Sequence, residues 1–256
     1  MNEPAQPSTS ASGSGPGSGP VPAPTPAGLL IIDKQQGFTS MDVCAILRTR
    51  LRRGGAPKRI KVGHAGTLDP LATGVLVVLI GKATRSVNVY MASEKEYTTT
   101  VDLSRSSNSD DLGGEVSDAA VAIPPDRAAV ERALEAFRGS IMQLPPQFSA
   151  MKIGGQRAYA LAREGTHAPL QPRPVQIHSL ELLKYEYPYV DLKIRCGKGT
   201  YIRSLARDLG IALKTGGLLT ALRRTRVGGY DISMSKTLDQ LPQLLLQENL
   251  LPLGAI

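Results

Sequence analysis

Asp69 stands in the run Gly63-His64-Ala65-Gly66-Thr67-Leu68-Asp69-Pro70-Leu71-Ala72-Thr73-Gly74, a carboxylate between glycines just ahead of an apolar stretch. A carboxylate displayed in this way can work as a nucleophile or as an electrostatic partner at an electron-poor carbon. The local backbone favours the display. Pro70 has a fixed φ and biases Asp69 away from the helical region, and the glycines permit a tight bend or a close backbone approach. Val75 to Ile80 is β-branched and apolar on both faces, which predicts a buried central strand with Asp69 at its lip. An Asp-Pro pair between glycines is also the composition of an ordinary turn. The stretch taken alone leaves both readings open.

Arg203 is the second chemical clue. A helix is expected to start at Gly199 or Thr200, which puts Arg203 in its first turn, where the macrodipole disfavours a cation. An anion is therefore expected nearby, in a salt bridge or as a phosphate. His64 reads equally as a plain loop residue, and Tyr97 as a core residue with its hydroxyl satisfied.

The elements that must position these groups form a mixed α/β pattern. Leu29 to Asp33 reads as a strand. Ser40 reads as the N-cap of a helix with Val43, Ile46, Leu47 and Leu51 on one face. Tyr97, Thr99, Val101 and Leu103 alternate along a half-buried strand, Glu96 to Leu103, and Val190, Leu192, Ile194 and Cys196 along another, Tyr189 to Cys196. Asp126 can cap a helix with Val130, Ala133, Leu134 and Phe137 inward and Gly139 at its end. The basic run Arg48, Arg50, Arg52, Arg53, Lys58, Arg59 and Lys61 is either a solvated helix end or a set of phosphate contacts.

Composition narrows the classes. The chain has 256 residues and a formal net charge of +8, which suits a polyanionic partner such as nucleic acid. Residues 1–27 are almost entirely Pro, Gly, Ser, Ala and Thr with Glu3 as the one charged side chain, so this stretch is expected to be a disordered tail. Cys44 and Cys196, the two cysteines, have no metal-ligand spacing and form no disulfide framework, which fits a reducing cytoplasmic setting. No apolar run approaches a membrane span. Gly74 and Gly81-Lys82 are too far apart for a phosphate loop, with Ala83 where a hydroxyl residue is needed. His64 and Asp69 lack enough neighbouring ligands for a metal.

The string His64 to Leu76 resembles the signature of the TruB family of tRNA pseudouridine synthases, whose catalytic aspartate falls where Asp69 stands. Four other segments are similar to that family in the same order. Leu30-Ile31-Ile32-Asp33-Lys34-Gln35-Gln36-Gly37 resembles its opening motif, with Gln35 replacing the usual proline. Lys95-Glu96-Tyr97 resembles the motif whose tyrosine contacts the target base. Pro145 to Lys152, with Gly154, Gly155, Gln156, Tyr159 and Arg163, resembles its RNA-clamping insertion, about 145–174. Cys196 to Leu205 resembles the motif whose arginine pairs with the catalytic aspartate.

The resemblance implies an α/β (α+β) pseudouridine synthase fold, with a central mixed, largely antiparallel sheet flanked by helices, spanning 28–253. It implies catalytic roles for Asp69, Tyr97 and Arg203, and RNA contacts for His64, Lys34, Tyr201 and Lys152. The implied reaction converts a uridine in the T-loop of tRNA, position 55, to pseudouridine. That isomerisation has no net redox change, so no cofactor and no metal is expected. The partner is the T-arm of tRNA and the protein is expected to be a monomer. There are two departures. Leu103 to Gly113 replaces the usual string after the tyrosine strand, with Asp110 or Asp111 keeping its acidic position. The sequence also ends near Leu253, where many relatives begin a small carboxy-terminal PUA domain that binds RNA. Two rival classes remain: a glycosidase or nucleoside hydrolase, which ordinarily needs a second carboxylate that the Asp69 motif lacks, and a non-catalytic RNA-binding protein or tRNA folding chaperone.

Overall fold

The computed structural model describes residues 1, 25–149, 152–153, 156–157 and 169–254, with backbone alone for 152–153 and 156–157. In chain order the strands are β1 (Gly28–Lys34), β2 (Val62–His64), β3 (Thr73–Ile80), β4 (Lys95–Asp102), β5 (Arg105–Ser107), β6 (Val116–Asp118), β7 (Gly139–Gln143), β8 (Lys152–Ile153), β9 (Gln156–Arg157), β10 (Arg173–Glu186), β11 (Tyr189–Cys196), β12 (Leu218–Val227) and β13 (Tyr230–Asp231). The helices are α1 (Ser40–Arg53), α2 (Val87–Ala92), α3 (Arg127–Glu135) and α4 (Ile202–Leu213). The expected tail lies mostly outside the described residues, as does half of the expected clamping insertion.

A nine-stranded sheet organises the molecule in the order β1-β3-β12-β4-β11-β10-β7, with β2 added to β3 and β13 to β12. Every pairing in it is antiparallel except β3 with β12, where Arg223 lies opposite Thr73 and Arg224 opposite Gly74. The sheet is thus mixed and largely antiparallel, as expected.

The apolar run Val75–Ile80 is fully buried because it has a core on each face. Leu76, Val78 and Ile80 join the larger cluster with Val43, Leu47 and Leu51 of α1 and Leu205 and Leu209 of α4. The alternate residues Val75, Val77 and Leu79 join a smaller one with Leu29, Ile31 and Tyr230. The period of two along a strand makes this division.

Helix α1 starts differently from expectation. Thr39 is the N-cap: its hydroxyl accepts from the Asp42 amide at 3.0 Å while the Asp42 carboxylate accepts from the Thr39 amide at 2.9 Å. Ser40 is released for another task, described below. Part of the basic run is structural. Arg50 is buried and donates to the carbonyls of Leu238 at 2.6 Å and Leu241 at 3.1 Å, tying the carboxy-terminal segment across α1. Arg48 donates to the Val62 carbonyl at 3.1 Å.

Candidate active site

Asp69 is held by its neighbours on both sides. The Ser40 hydroxyl accepts from the Leu68 amide at 2.8 Å and donates to the Leu68 carbonyl at 3.0 Å, clamping the residue before the carboxylate to α1. The Pro70 carbonyl accepts from Gly37 at 2.8 Å, and the Asp69 carbonyl from Ala72 at 3.0 Å. The loop then enters β3 through Gly74, whose φ of +100° disfavours a side chain. A Cβ there would lie 2.1 Å from the Arg224 carbonyl, so β12 approaches only because the residue is glycine.

Arg203 reaches the same point from α4, which starts at Ile202 rather than at Gly199 or Thr200. Gly199 has a φ of +80°, which keeps the preceding turn out of the helix. Gln143 supports the helix start, its amide donating to the Tyr201 carbonyl at 3.0 Å and accepting from the Tyr201 amide at 2.8 Å. Arg203 is 5% exposed. Its guanidinium pairs with Asp69 at 3.0 Å and Asp111 at 3.5 Å, and donates to the carbonyls of Ser109 at 3.1 Å and Phe148 at 2.9 Å. The anion expected beside a cation in a first helical turn is therefore two carboxylates. Asp111 takes the acidic position in this network, while Asp110, at a φ of +64°, pairs with Arg207 at 2.9 Å. Burial pushes the Asp110 carboxyl up, and Arg207 and then Arg203 oppose that rise.

Asp69 and Arg203 lie in a cleft of about 340 Å³ that Tyr97, Tyr201, Phe148 and Arg224 also line. Tyr97 is 8% exposed. Burial raises its phenol above the usual range and the Arg224 charge opposes that, so a neutral ring faces the cleft. Arg173 stacks over the Tyr201 ring at 5.1 Å and donates to the Gly199 carbonyl at 2.7 Å, forming part of the rim. A larger groove of about 460 Å³ runs beside Thr98, Thr100 and Asp191. Its Arg223 is already held by Asp33 at 2.8 Å, so the smaller cleft is the better place for chemistry.

The other expected residues are placed less directly. Lys34 is fully buried and does not line the cleft; its ammonium donates to the Phe38 carbonyl at 2.7 Å and the Gln35 carbonyl at 3.1 Å, closing the turn after β1. Burial lowers it from 10.5 to about 8, with Asp69 raising it and Arg224 lowering it further. His64 is on β2 opposite Val78 and also lies outside the cleft wall. Its Nδ1 is buried with no partner among the described residues, and burial followed by the Arg224 charge keeps the ring neutral. Lys152 is on the short β8–β9 hairpin, and its side chain lies outside the described residues.

Two cleft cations were not singled out from the sequence. Lys95, lowered to about 8 mainly by burial, donates to the carbonyls of Met91 and Ser93 and so closes the end of α2. Arg224 is 1% exposed and donates to backbone carbonyls on the Asp69 side. Leu222, Arg224 and Arg226 occupy alternate positions of one strand, a pattern with no apolar period to mark burial.

Among the described residues no helix is long and apolar enough to cross a membrane, and no group of three His, Cys, Asp or Glu could hold a metal ion. Comparison with known proteins agrees with the geometry. Residues 52–202 match the TruB family pseudouridylate synthase amino-terminal domain, and residues 203–253 match the tRNA pseudouridylate synthase B carboxy-terminal domain. Tyr97 of β4 and Arg224 of β12 thus come from different matched segments, yet share one cleft. The chain is 47% identical over 222 residues to tRNA pseudouridine synthase B of Thermobifida fusca, covering 84% of this chain and 74% of that protein. It is 44% identical over 211 residues to the protein of the same name from Bacteroides fragilis, covering 82% and 90%. Among solved structures, a Cbf5–Nop10–Gar1 complex includes a chain that superimposes with a TM-score of 0.64 at 30% identity, covering 84% of this chain and 53% of that one. An H/ACA RNP bound to a substrate RNA containing 2′-deoxyuridine gives 0.60 at 28%, covering 84% and 52%. The sequence therefore spans about half the length of these structural relatives and about three quarters or more of the two curated ones. The chain belongs to the TruB family of pseudouridylate synthases.

Proposed function

We propose that the protein converts a uridine in the T-loop of tRNA, position 55, to pseudouridine, with residues 28–253 as the catalytic unit. The observation that carries this reading is the pairing of a half-exposed Asp69 with a sealed Arg203 in one cleft. The reaction breaks the bond from uracil N1 to ribose C1′, turns the base, and joins C5 to the same carbon. The electron pair of the broken bond leaves with the base. After C5 has bonded to C1′, the proton on C5 is lost and N1 regains one, so nothing is added to the RNA overall. Asp69 meets the sugar in this scheme, as a nucleophile or as a charge that steadies an electron-poor C1′. Arg203 is sealed from water and fixed by four acceptors, which keeps Asp69 aimed into the cleft. The Tyr97 ring packs on the target base, and Tyr201 lines the entry with Arg173 above it.

A paired, stacked uridine must be turned out of its helix to reach this cleft, and unstacking costs a few kcal/mol. The net charge of +8 supplies phosphate contacts that offset it. His64, Lys34 and Lys152 are assigned to RNA contact or to support of the Asp69 loop. We place the protein in the cytoplasm, in keeping with two free, buried cysteines.

The test is product analysis on a T-arm RNA with uridine or cytidine at the target position. Pseudouridine from the uridine substrate alone, with no free uracil, is the expected result. Free uracil would identify a hydrolase, and unchanged RNA bound with ordinary affinity would identify a binding protein or chaperone.

A further inference from the structure

Arg224 has the largest fully buried side chain among the described residues, and no carboxylate there pairs with it. A buried guanidinium is costly unless its donors are satisfied and its charge has a purpose. Three backbone carbonyls accept from it, and the Tyr97 hydroxyl is a further hydrogen-bond partner. Nε donates to the Val75 carbonyl at 2.7 Å, and the two terminal nitrogens to Gly66 at 3.0 Å and Thr67 at 3.4 Å. Val75 belongs to β3, next to β12 in the sheet; Gly66 and Thr67 are the residues that lead into Asp69. Gly66 has a φ of +111° and its Cβ position would lie 3.6 Å from Arg224, so loop and guanidinium are fitted to one another. Arg224 also borders the cleft beside Tyr97.

We infer that Arg224 is a positioning residue for the isomerisation, its planar fork fastening the Gly66–Thr67 backbone to the sheet so that Asp69 and Tyr97 keep a fixed relation across the cleft. The inference rests on the proposed function. A lysine would retain the charge but not the fork, since an ammonium is a point donor on a flexible stem. An apolar residue would remove the desolvated charge but leave three carbonyls without a donor. Burial lowers Lys34, Lys95 and His64, and the charge of the same group lowers each of them further, which marks it as a positive charge shared by this region.

The experiment compares wild type, Arg224→Lys, Arg224→Ala and Asp69→Asn for tritium release from tRNA labelled at uracil C5, with kcat and KM measured separately. Arg224→Lys is expected to lose about 100-fold in kcat, the loss typical of a displacement on the order of 1 Å. Its KM for tRNA should stay within about threefold, because ground-state binding is untouched. Methylguanidinium should restore Arg224→Ala by about tenfold or more, as a fork delivered in solution, whereas methylammonium should not. Should Arg224→Ala not accumulate as folded protein, Arg224→Lys carries the test, since it retains charge and most of the bulk. A kcat for Arg224→Lys near wild type, or a loss confined to KM, overturns the inference. A wild type that releases no tritium overturns the proposed function instead, and the two failures are thereby distinct.

Discussion

Asp69 and Arg203 are joined at 3.0 Å, yet the arginine side chain is 6% exposed and the aspartate side chain 39%. One partner is sealed and the other is open to a substrate. A pair built for stability alone gains little from such asymmetry, because the exposed partner is screened by water. Asp111, at 9% exposure, supplies the buried half of the compensation, so Arg203 stays fixed while Asp69 engages a ligand.

Arg203→Ala should therefore do two things. It should reduce turnover by about 100-fold or more while leaving tRNA affinity nearly unchanged, since the loss is one of aim. It should also lower stability by about 3 kcal/mol, because Asp111 is left buried without its partner. Steady-state kinetics, tRNA binding and urea unfolding measure these separately. A loss confined to tRNA binding would demote Arg203 to a phosphate contact.

Gly74→Ala should destabilise the protein by about 2 kcal/mol or more. The residue combines a φ of +100° with a Cβ position 2.1 Å from the Arg224 carbonyl, so strain and overlap act together at the β3–β12 junction. Thermal or urea unfolding against wild type checks this, and a neutral result would mean that β12 can withdraw.

Lys34 makes a pH-dependent prediction. Its ammonium falls from 10.5 to about 8 on folding. Below about pH 8 both states are protonated and the contribution is constant. Between about 8 and 10.5 the unfolded chain binds more protons, so the Lys34 contribution makes stability rise with pH. Lys34→Met removes that rise. The stability of wild type minus that of Lys34→Met should grow from about pH 7.5 to about pH 9.5 in urea titrations. A constant or shrinking difference would contradict the shift.

Strands were legible in the sequence where alternation or continuous apolarity marked them. Tyr189–Cys196 has the expected bounds, and the Val75–Ile80 run forms all but the first two residues of β3. Boundaries set by side-chain competition were not. Thr39 and Ser40 are both good caps, and the choice between them depends on Leu68, a contact 28 residues away that no local pattern encodes. Leu218–Val227 carries no strand signal in its sequence, because Arg223, Arg224 and Arg226 interrupt any apolar period. Its most buried charged residue, Arg224, donates to carbonyls, which carry no residue-type signal. The Asp69–Arg203 pairing came from the family resemblance. Helix polarity alone called for an anion near Arg203 without saying which.

The central claim, that Asp69 acts on the uridine, is tested most directly by tritium release from tRNA labelled at uracil C5. Joining C5 to the ribose expels that label into water, and Asp69→Asn changes one carboxylate oxygen to an amide at nearly constant shape. Wild type should release tritium as pseudouridine forms, and Asp69→Asn should release none above background. No release from wild type, or equal release from both, would contradict the account.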